Sequence, residues 1–151
     1  MRILSLLLLM VVAVASAQRE TWIDVPIVSK ERVATGGYRL REKLSVDKAK
    51  YPVLVEFLLK YEGDPLPSSG DLASFTKVDA EMASLQSIGG CVEVAIVTLN
   101  GKREWILYAK NGATLKKLLI GKFGKRQPEI HTRPDPGWTL YKQLNLAMHS
   151  A

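Results

Sequence analysis

The stretch that most constrains the fold lies in the middle of the chain, where Asn100-Gly101 joins two apolar runs rich in β-branched residues. Asn-Gly is typical of a two-residue hairpin, because both residues tolerate the positive φ angles that this turn requires. Residues 91–99 and 102–109 are therefore predicted to be adjacent antiparallel strands. Any fold of this chain has to accommodate that hairpin.

Two amphipathic patterns flank the hairpin and predict helices. Ser68 and Asp71 have the form of a capping box, and apolar residues then recur every three or four positions until a pair of glycines ends the pattern. Asn111 can cap a second, shorter helix over about 112–122. The apolar residues predicted to be buried are Leu72, Phe75, Val78, Met82, Leu85 and Ile88 in the first helix and Leu115, Leu118 and Leu119 in the second.

Two more segments complete the predicted core. Residues 51–61 form a near-continuous apolar run, which favours a central strand covered on both faces. Residues 129–133 are predicted to form an edge strand that stops before Pro134. The order strand, helix, strand, strand, helix, strand predicts an α+β fold with a ferredoxin-like β-α-β-β-α-β antiparallel sheet and both helices on one face.

The residues before this core predict a short β extension. Residues 22–28 alternate as a strand does, and Gly36-Gly37 separates them from a second possible strand at 38–44. Such pieces are too short to fold alone, so we expect them to pair with the sheet or to cover its open face. The predicted organisation is a signal peptide at 1–17, an N-terminal β extension at 18–50, a ferredoxin-like core with a C-terminal aromatic latch at 51–144, and a tail at 145–151.

The first 17 residues have the features of a secretory signal peptide. Arg2 precedes an apolar run over 3–15, and Ala15-Ser16-Ala17 matches the small-residue cleavage pattern. The run is short for a membrane-spanning helix, although an uncleaved N-terminal anchor is the alternative. We expect cleavage near Ala17 and a periplasmic or secreted mature protein that does not span a membrane.

Basic residues are concentrated in one segment. The chain has 21 Lys+Arg and 15 Asp+Glu. Residues 110–133 contain seven of the basic residues, and Glu129 is the only acidic residue in that segment. Such a cluster attracts anionic partners, although a solvated helix face is the simpler alternative. Phe123 is the only aromatic residue among these lysines, so no specific nucleic-acid binding is expected. The candidate anion-binding residues are Lys116, Lys117, Lys125 and Arg126.

Two aromatic motifs supply the other candidate binding residues. On a strand, Arg103 and Trp105 share one face while Glu104 and Tyr108 share the other. The motif DPGWTLY at 135–141 is most simply a latch whose aromatic rings dock on the sheet. The alternatives are an aromatic recognition platform or a small hydrolase or transferase with Glu104 as general base. The candidate residues are Arg103, Glu104, Trp105, Tyr108, Asp135, Trp138 and Tyr141.

Recognisable catalytic constellations are missing from the sequence. Cys91 lies in an apolar run and is interpreted as a buried small hydrophobe, while His131 and His149 are isolated. The sequence therefore predicts no catalytic residue, no metal and no cofactor. It favours a non-enzymatic binding or modulating module whose partner is an unknown protein or an anionic ligand, and it leaves the oligomeric state open.

The hairpin and the C-terminal motif together resemble a known family. Gly101–Trp105 with Tyr108, followed by Asp135 with Trp138 and Tyr141, is similar to the bacterial proteins grouped as domain of unknown function 695. The signal pattern is that of an exported member. The resemblance implies a ferredoxin-like arrangement, and it implies no particular activity, because the family looks functionally unassigned.

Overall fold

The structure, a computed structural model, describes residues 22–28, 34–88 and 90–150. The predicted signal peptide at 1–17 lies outside the described residues. None of the helices in the described ranges is both long and apolar enough to cross a membrane. The strands and α-helices, in chain order, are β1 (Trp22–Val28), β2 (Ala34–Arg41), β3 (Val53–Lys60), α1 (Ser69–Ser87), β4 (Cys91–Leu99), β5 (Lys102–Ala109), α2 (Gly112–Phe123), β6 (Glu129–Pro134) and α3 (Thr139–Ser150).

The predicted central hairpin is confirmed. Strands β4 and β5 pair antiparallel from Leu99 opposite Lys102 to Cys91 opposite Ala109, with one register shift between Glu93 and Ala95. The connecting residues Asn100 and Gly101 have φ angles of 53° and 75°. The turn therefore has the left-handed backbone that the Asn-Gly pair favours.

All described strands join one antiparallel sheet in the order β1-β2-β4-β5-β3-β6. The predicted α+β class with an antiparallel sheet is thus confirmed. Strand β2 pairs with β4 and β1 pairs with β2, so the N-terminal strands extend the sheet, which was one of the two roles expected for them. Strands β1 and β6 form the two edges.

The predicted bounds of β2 are wrong. The strand begins at Ala34 and runs through Gly36-Gly37, which were expected to separate two strands. A Cβ atom at Gly36 would lie 2.2 Å from the carbonyl oxygen of Thr98 on β4. The glycine is therefore needed where two neighbouring strands approach closely, not to end a strand.

Helices α1 and α2 pack on the same face of the sheet, which we call the two-helix face. The predicted caps are confirmed: Ser68 Oγ accepts from Asp71 N–H at 3.1 Å, Asp71 Oδ2 accepts from Ser68 N–H at 2.8 Å, and Asn111 Oδ1 accepts from Thr114 N–H at 3.0 Å. The core of this face consists of Val55, Phe57, Leu59, Tyr61, Phe75, Val78, Met82, Leu85, Cys91, Ile96, Trp105, Leu107, Ala109, Leu115, Leu119 and Phe123.

Three of the residues predicted to be buried are exposed. The exposed fractions are 50% for Leu72, 73% for Ile88 and 46% for Leu118. Their spacing fits the helical stripe, but Leu72 lies in the first turn of α1 and Ile88 follows its last residue. Leu118 lies in the middle of α2 but beside the buried row, which consists of Gly112, Leu115, Leu119 and Phe123.

A third helix, α3, covers part of the opposite face, which we call the one-helix face. The residues expected to form a tail from 145 onwards continue this helix to Ser150. Trp138 and Tyr141 are buried here with Leu40, Leu54 and Tyr108. This packing answers the question of what covers the second face, which the sequence left open.

Candidate functional site

The structure separates the predicted site residues of β5 as strand alternation requires. Arg103 and Trp105 lie on the two-helix face, where Trp105 Nε1 donates to Asp79 Oδ1 at 2.8 Å. Glu104 and Tyr108 share the other face, but four residues of strand place them about 13 Å apart. The structure therefore does not bring this pair together as a general base and its neighbour.

Glu104 lies near a second carboxylate. Burial and the Glu56 carboxylate raise the pKa of Glu104, while His131, Arg133 and Lys102 act in the opposite direction. Arg133 forms an ion pair with Glu56 at 3.7 Å on this same part of the sheet. The cluster is a partly neutralised polar surface next to, and separate from, the residues under α3.

Tyr108, Trp138 and Tyr141 are buried and, together with the half-buried Asp135, form one assembly, which we call the aromatic latch. Trp138 stacks on Tyr108 with ring centroids 4.0 Å apart and planes 7° from parallel. Trp138 Nε1 donates to the backbone carbonyls of Lys48 and Tyr51 at 3.1 and 3.0 Å. Tyr108 covers one face of the Trp138 ring, the ring N–H is hydrogen-bonded, and the side chain is fully buried, so Trp138 is not exposed to a ligand.

Asp135 fixes both the latch and the start of α3. Its carboxylate accepts from the Tyr108 hydroxyl at 2.7 Å and from the backbone N–H groups of Thr139 and Leu140 at 2.9 and 3.2 Å. Burial alone would raise the pKa of Asp135, but these hydrogen bonds lower it below its ordinary value. Burial and the Asp135 carboxylate raise the pKa of Tyr108. At neutral pH the pair is a charged acceptor and a neutral donor.

The predicted anion-binding residues differ in their surroundings. Lys116, Lys117 and Lys125 are exposed and have no ion pair within the described residues. Arg126 is instead tied to α1, because its guanidinium donates to Ser74 Oγ at 2.8 Å. Lys122, in the same segment, is neutralised by Glu81 at 2.7 Å.

Sequence reasoning missed a second polar assembly on the two-helix face, next to α1. We call it the arginine shelf and define it as Trp22, Arg39, Arg41, Glu93 and Arg103. The Trp22 ring lies 5.5 Å from the Arg39 guanidinium and 5.1 Å from that of Arg41. Strand pairing produces this order, because Trp22 is opposite Arg41 in the β1–β2 register.

Side chains of α1 form the wall of the shelf. Gln86 Oε1 accepts from Arg41 Nη1 and from the Glu93 backbone N–H, both at 3.0 Å, and Gln86 Nε2 donates to Glu93 Oε2 at 3.3 Å. Asp79 Oδ2 lies 3.6 Å from Arg103 Nη2. The Arg103 guanidinium also lies over the rings of Phe75 and Trp105, at 4.9 and 5.5 Å from their centroids.

Glu93 supplies the one carboxyl group of the shelf. It is 5% exposed. Burial and the nearby Asp79 carboxylate raise the pKa of Glu93 to about 7, although Arg41, Arg103 and Arg39 oppose the change. Burial also lowers the pKa of Arg103. The shelf is thus a partly desolvated network whose net charge changes near neutral pH.

A cavity of about 300 Å³ opens on the shelf. Its polar lining comes from Asp24, Arg39, Thr98 and Arg103, and Gly37 contributes no side chain that would fill it. Arg39 and Asp24 form a 2.7 Å ion pair at the mouth and are 45% and 70% exposed. The cavity can therefore admit a ligand to two guanidinium groups.

The sequence carried one overlooked signal for this site. Glu93 is the only charged residue in the apolar run 91–99, and a charged side chain in a buried strand requires partners. Arg39 and Arg41 gave no comparable signal, because their neighbours depend on β2 pairing with β4. Of the shelf residues, only Arg103 was among the predicted candidates.

A comparison with known protein families identifies the family of this chain. A family model described as "Family of unknown function (DUF695)" matches residues 29–145. The chain belongs to this family. The DUF695 match includes the aromatic latch and four of the five shelf residues, leaving out Trp22. No curated protein and no solved structure matches the chain significantly.

In the part of the chain that the structure describes, no group of three His, Cys, Asp or Glu side chains is placed to hold a metal ion. The chemical capacity of the shelf lies in its guanidinium donors, its aromatic ring and one buried carboxyl group.

Proposed function

We propose that this DUF695 protein is an exported, non-enzymatic binding module that holds a carboxylate- or phosphate-bearing ligand on its arginine shelf. The observation that carries the proposal is the state of Arg103. Its side chain is 11% exposed, it lines the cavity, and its Nε is buried without a hydrogen-bond partner.

Arg103 has donor capacity that the protein does not use. Its contact with Asp79 is 3.6 Å long, which exceeds hydrogen-bond distance. A guanidinium presents several N–H groups in a fixed plane, and leaving such donors buried and unsatisfied costs free energy. A carboxylate or phosphate oxygen in the cavity would accept from them in the geometry that arginine recognises best.

Arg39 supplies a second guanidinium at the mouth of the cavity. Its exposure allows it to contact a ligand without leaving Trp22, whose ring holds the arginine from one side. The ion pair with Asp24 is exposed and therefore weak, so an anion can compete with it. Two arginines at different depths favour a ligand with more than one acceptor oxygen.

The shelf favours binding over catalysis. Glu93 is the group whose pKa suits proton transfer near neutral pH, but it is 5% exposed and is hydrogen-bonded to Gln86. A general base has to reach the proton that it removes. The one carboxylate that lines the cavity, that of Asp24, is held in an ion pair with Arg39 at 2.7 Å.

The fold and compartment form part of the same proposal. We propose a ferredoxin-like core made of β3, α1, β4, β5, α2 and β6. The neighbouring order β4-β5-β3-β6 supports it, because the first two core strands then lie on either side of the third, as in a split β-α-β unit. The signal pattern at 1–17 supports export.

Calorimetric titration of the purified protein, expressed from its full-length chain, tests the binding site. The probes are inorganic phosphate, succinate and tricarballylate, and the variants are Arg39→Gln and Arg103→Gln. The control is Arg133→Gln, which matches Arg39, because Arg133 is also an exposed, ion-paired arginine but lies on the opposite face.

At least one probe should bind, and each shelf variant should weaken it about tenfold or more, since a charge-assisted hydrogen bond is worth roughly 1.5–3 kcal/mol. The control should bind as the wild type does. Equal loss in all three variants would indicate a general charge effect and contradict the site. Absence of saturable binding of every probe would contradict the ligand class.

A further inference from the structure

We propose that the cleft between the end of α1 and the start of α2 binds the chain end of an anionic amphiphile, whose carboxylate head lies against Lys110. The cleft holds a cavity of about 120 Å³ lined mainly by Leu85, Ile88, Cys91, Leu115 and Leu118. It shares no lining residue with the arginine shelf, so this site is independent of the proposed function.

The cleft is unusually apolar for a solvent-exposed surface. Ile88 and Leu118, which flank it, are 73% and 46% exposed. Exposed apolar side chains that gather around one cavity mark binding sites more often than scattered ones do. Burying both side chains against an aliphatic chain would remove this apolar surface from water.

The volume limits what can enter. A cavity of about 120 Å³ is close to the size of an engineered apolar cavity, about 150 Å³, that stays dry and binds benzene. It therefore takes a short aliphatic chain end, with the remaining carbons lying between Ile88 and Leu118.

Charge selects the head group. Lys110 lines the cleft with its ammonium 5.7 Å from the centroid of the Tyr51 ring, and no ion pair of Lys110 occurs within the described ranges. Lys116 and Lys117 on α2 likewise have no acidic partner there, whereas the nearby Glu81 is already neutralised by Lys122. Asn111 and Thr114 bring the positive end of the α2 dipole to the same rim. A carboxylate is therefore favoured over a neutral or cationic head.

Calorimetric titration of the full chain with decanoate tests this site. Decanol and decyltrimethylammonium carry the same chain with a neutral and a cationic head, and acetate carries the head without the chain. The site variants are Ile88→Asn, Leu118→Asn and Lys110→Gln. The matched control is Ile120→Asn, because Ile120 is 50% exposed on the same helix but does not line the cleft.

Decanoate should bind saturably, and Ile88→Asn and Leu118→Asn should each weaken it about tenfold, while Ile120→Asn has no effect. Lys110→Gln should weaken decanoate but not decanol, and acetate should not bind. All changed residues are at the surface, and circular dichroism checks that each variant is folded. The proposal is overturned by an absence of saturable decanoate binding, by equal loss in Ile120→Asn, or by equal affinity for decyltrimethylammonium.

Discussion

Replacing Glu93 with glutamine should stabilise the protein at alkaline pH and leave it nearly unchanged in mild acid. Glu93 is buried beside Gln86, within the field of Asp79 and the shelf arginines. Glutamine has nearly the same shape and keeps an oxygen that accepts from Gln86 Nε2. The substitution therefore removes the charge while preserving the packing.

The magnitude follows from the pKa of this carboxyl group. Burial, with the Asp79 carboxylate, raises the pKa of Glu93 from 4.5 to about 7. Each unit of difference in pKa between the folded and unfolded states corresponds to roughly 1.4 kcal/mol, so ionisation costs the folded state about 3 kcal/mol. The attraction of Arg41 and Arg103 for the ionised form is already included in that pKa.

The direction of the pH dependence follows from the raised pKa of Glu93 in the folded state. Because the folded state holds the proton more tightly, the stability contributed by protonated Glu93 is fully present below pH 4.5 and is lost as pH rises through about 7. Glutamine cannot ionise, so the variant does not suffer this loss. Its advantage over the wild type should grow by about 2–3 kcal/mol between pH 5 and pH 8.

Urea unfolding of both proteins at pH 5, 6, 7 and 8 measures the difference directly. Other titrating groups act equally in both chains and cancel. The control is Glu129→Gln, since Lys102 lowers the pKa of the exposed Glu129 and its removal should give no gain at pH 8. A difference between wild type and Glu93→Gln that stays flat from pH 5 to 8 would refute the reasoning.

Two further predictions concern the core and the latch. Trp105→Ala and Trp138→Ala should each lower the free energy of unfolding by about 3–5 kcal/mol, because both side chains are fully buried; a urea midpoint that barely moves for Trp138→Ala would contradict the latch. Tyr108→Phe should cost roughly 1–3 kcal/mol, because Asp135 loses a 2.7 Å hydrogen bond in a partly buried site, and an unchanged unfolding free energy would show that the bond contributes nothing.

The parts of the fold that could be predicted are those with local causes. Asn100-Gly101 determines its turn by backbone chemistry alone, and Ser68 with Asp71 caps α1 through residues three positions apart. These interactions are encoded within a few residues of sequence. The element bounds that depend on them were accordingly close to the observed ones.

The features that the sequence did not predict depend on contacts between residues far apart in the chain. Gly36 looks like a strand breaker until β4 is placed beside it, where Thr98 leaves no room for a side chain. Ile88 and Leu118 fit the helical period, but only tertiary packing decides which residues of a stripe reach the sheet. The arginine shelf likewise depends on β2 pairing with β4, which no short-range pattern specifies.

The aromatic latch contacts the arginine shelf at Arg41. The Tyr141 hydroxyl donates to the backbone carbonyl of Arg41 at 2.7 Å on the one-helix face. The Arg41 side chain reaches Gln86 on the other face and lies against Trp22. Docking of α3 therefore fixes the end of β2 that carries a shelf arginine. The aromatic residues that look like a recognition surface in the sequence act through the sheet, because they hold in place the backbone that carries part of the proposed binding site.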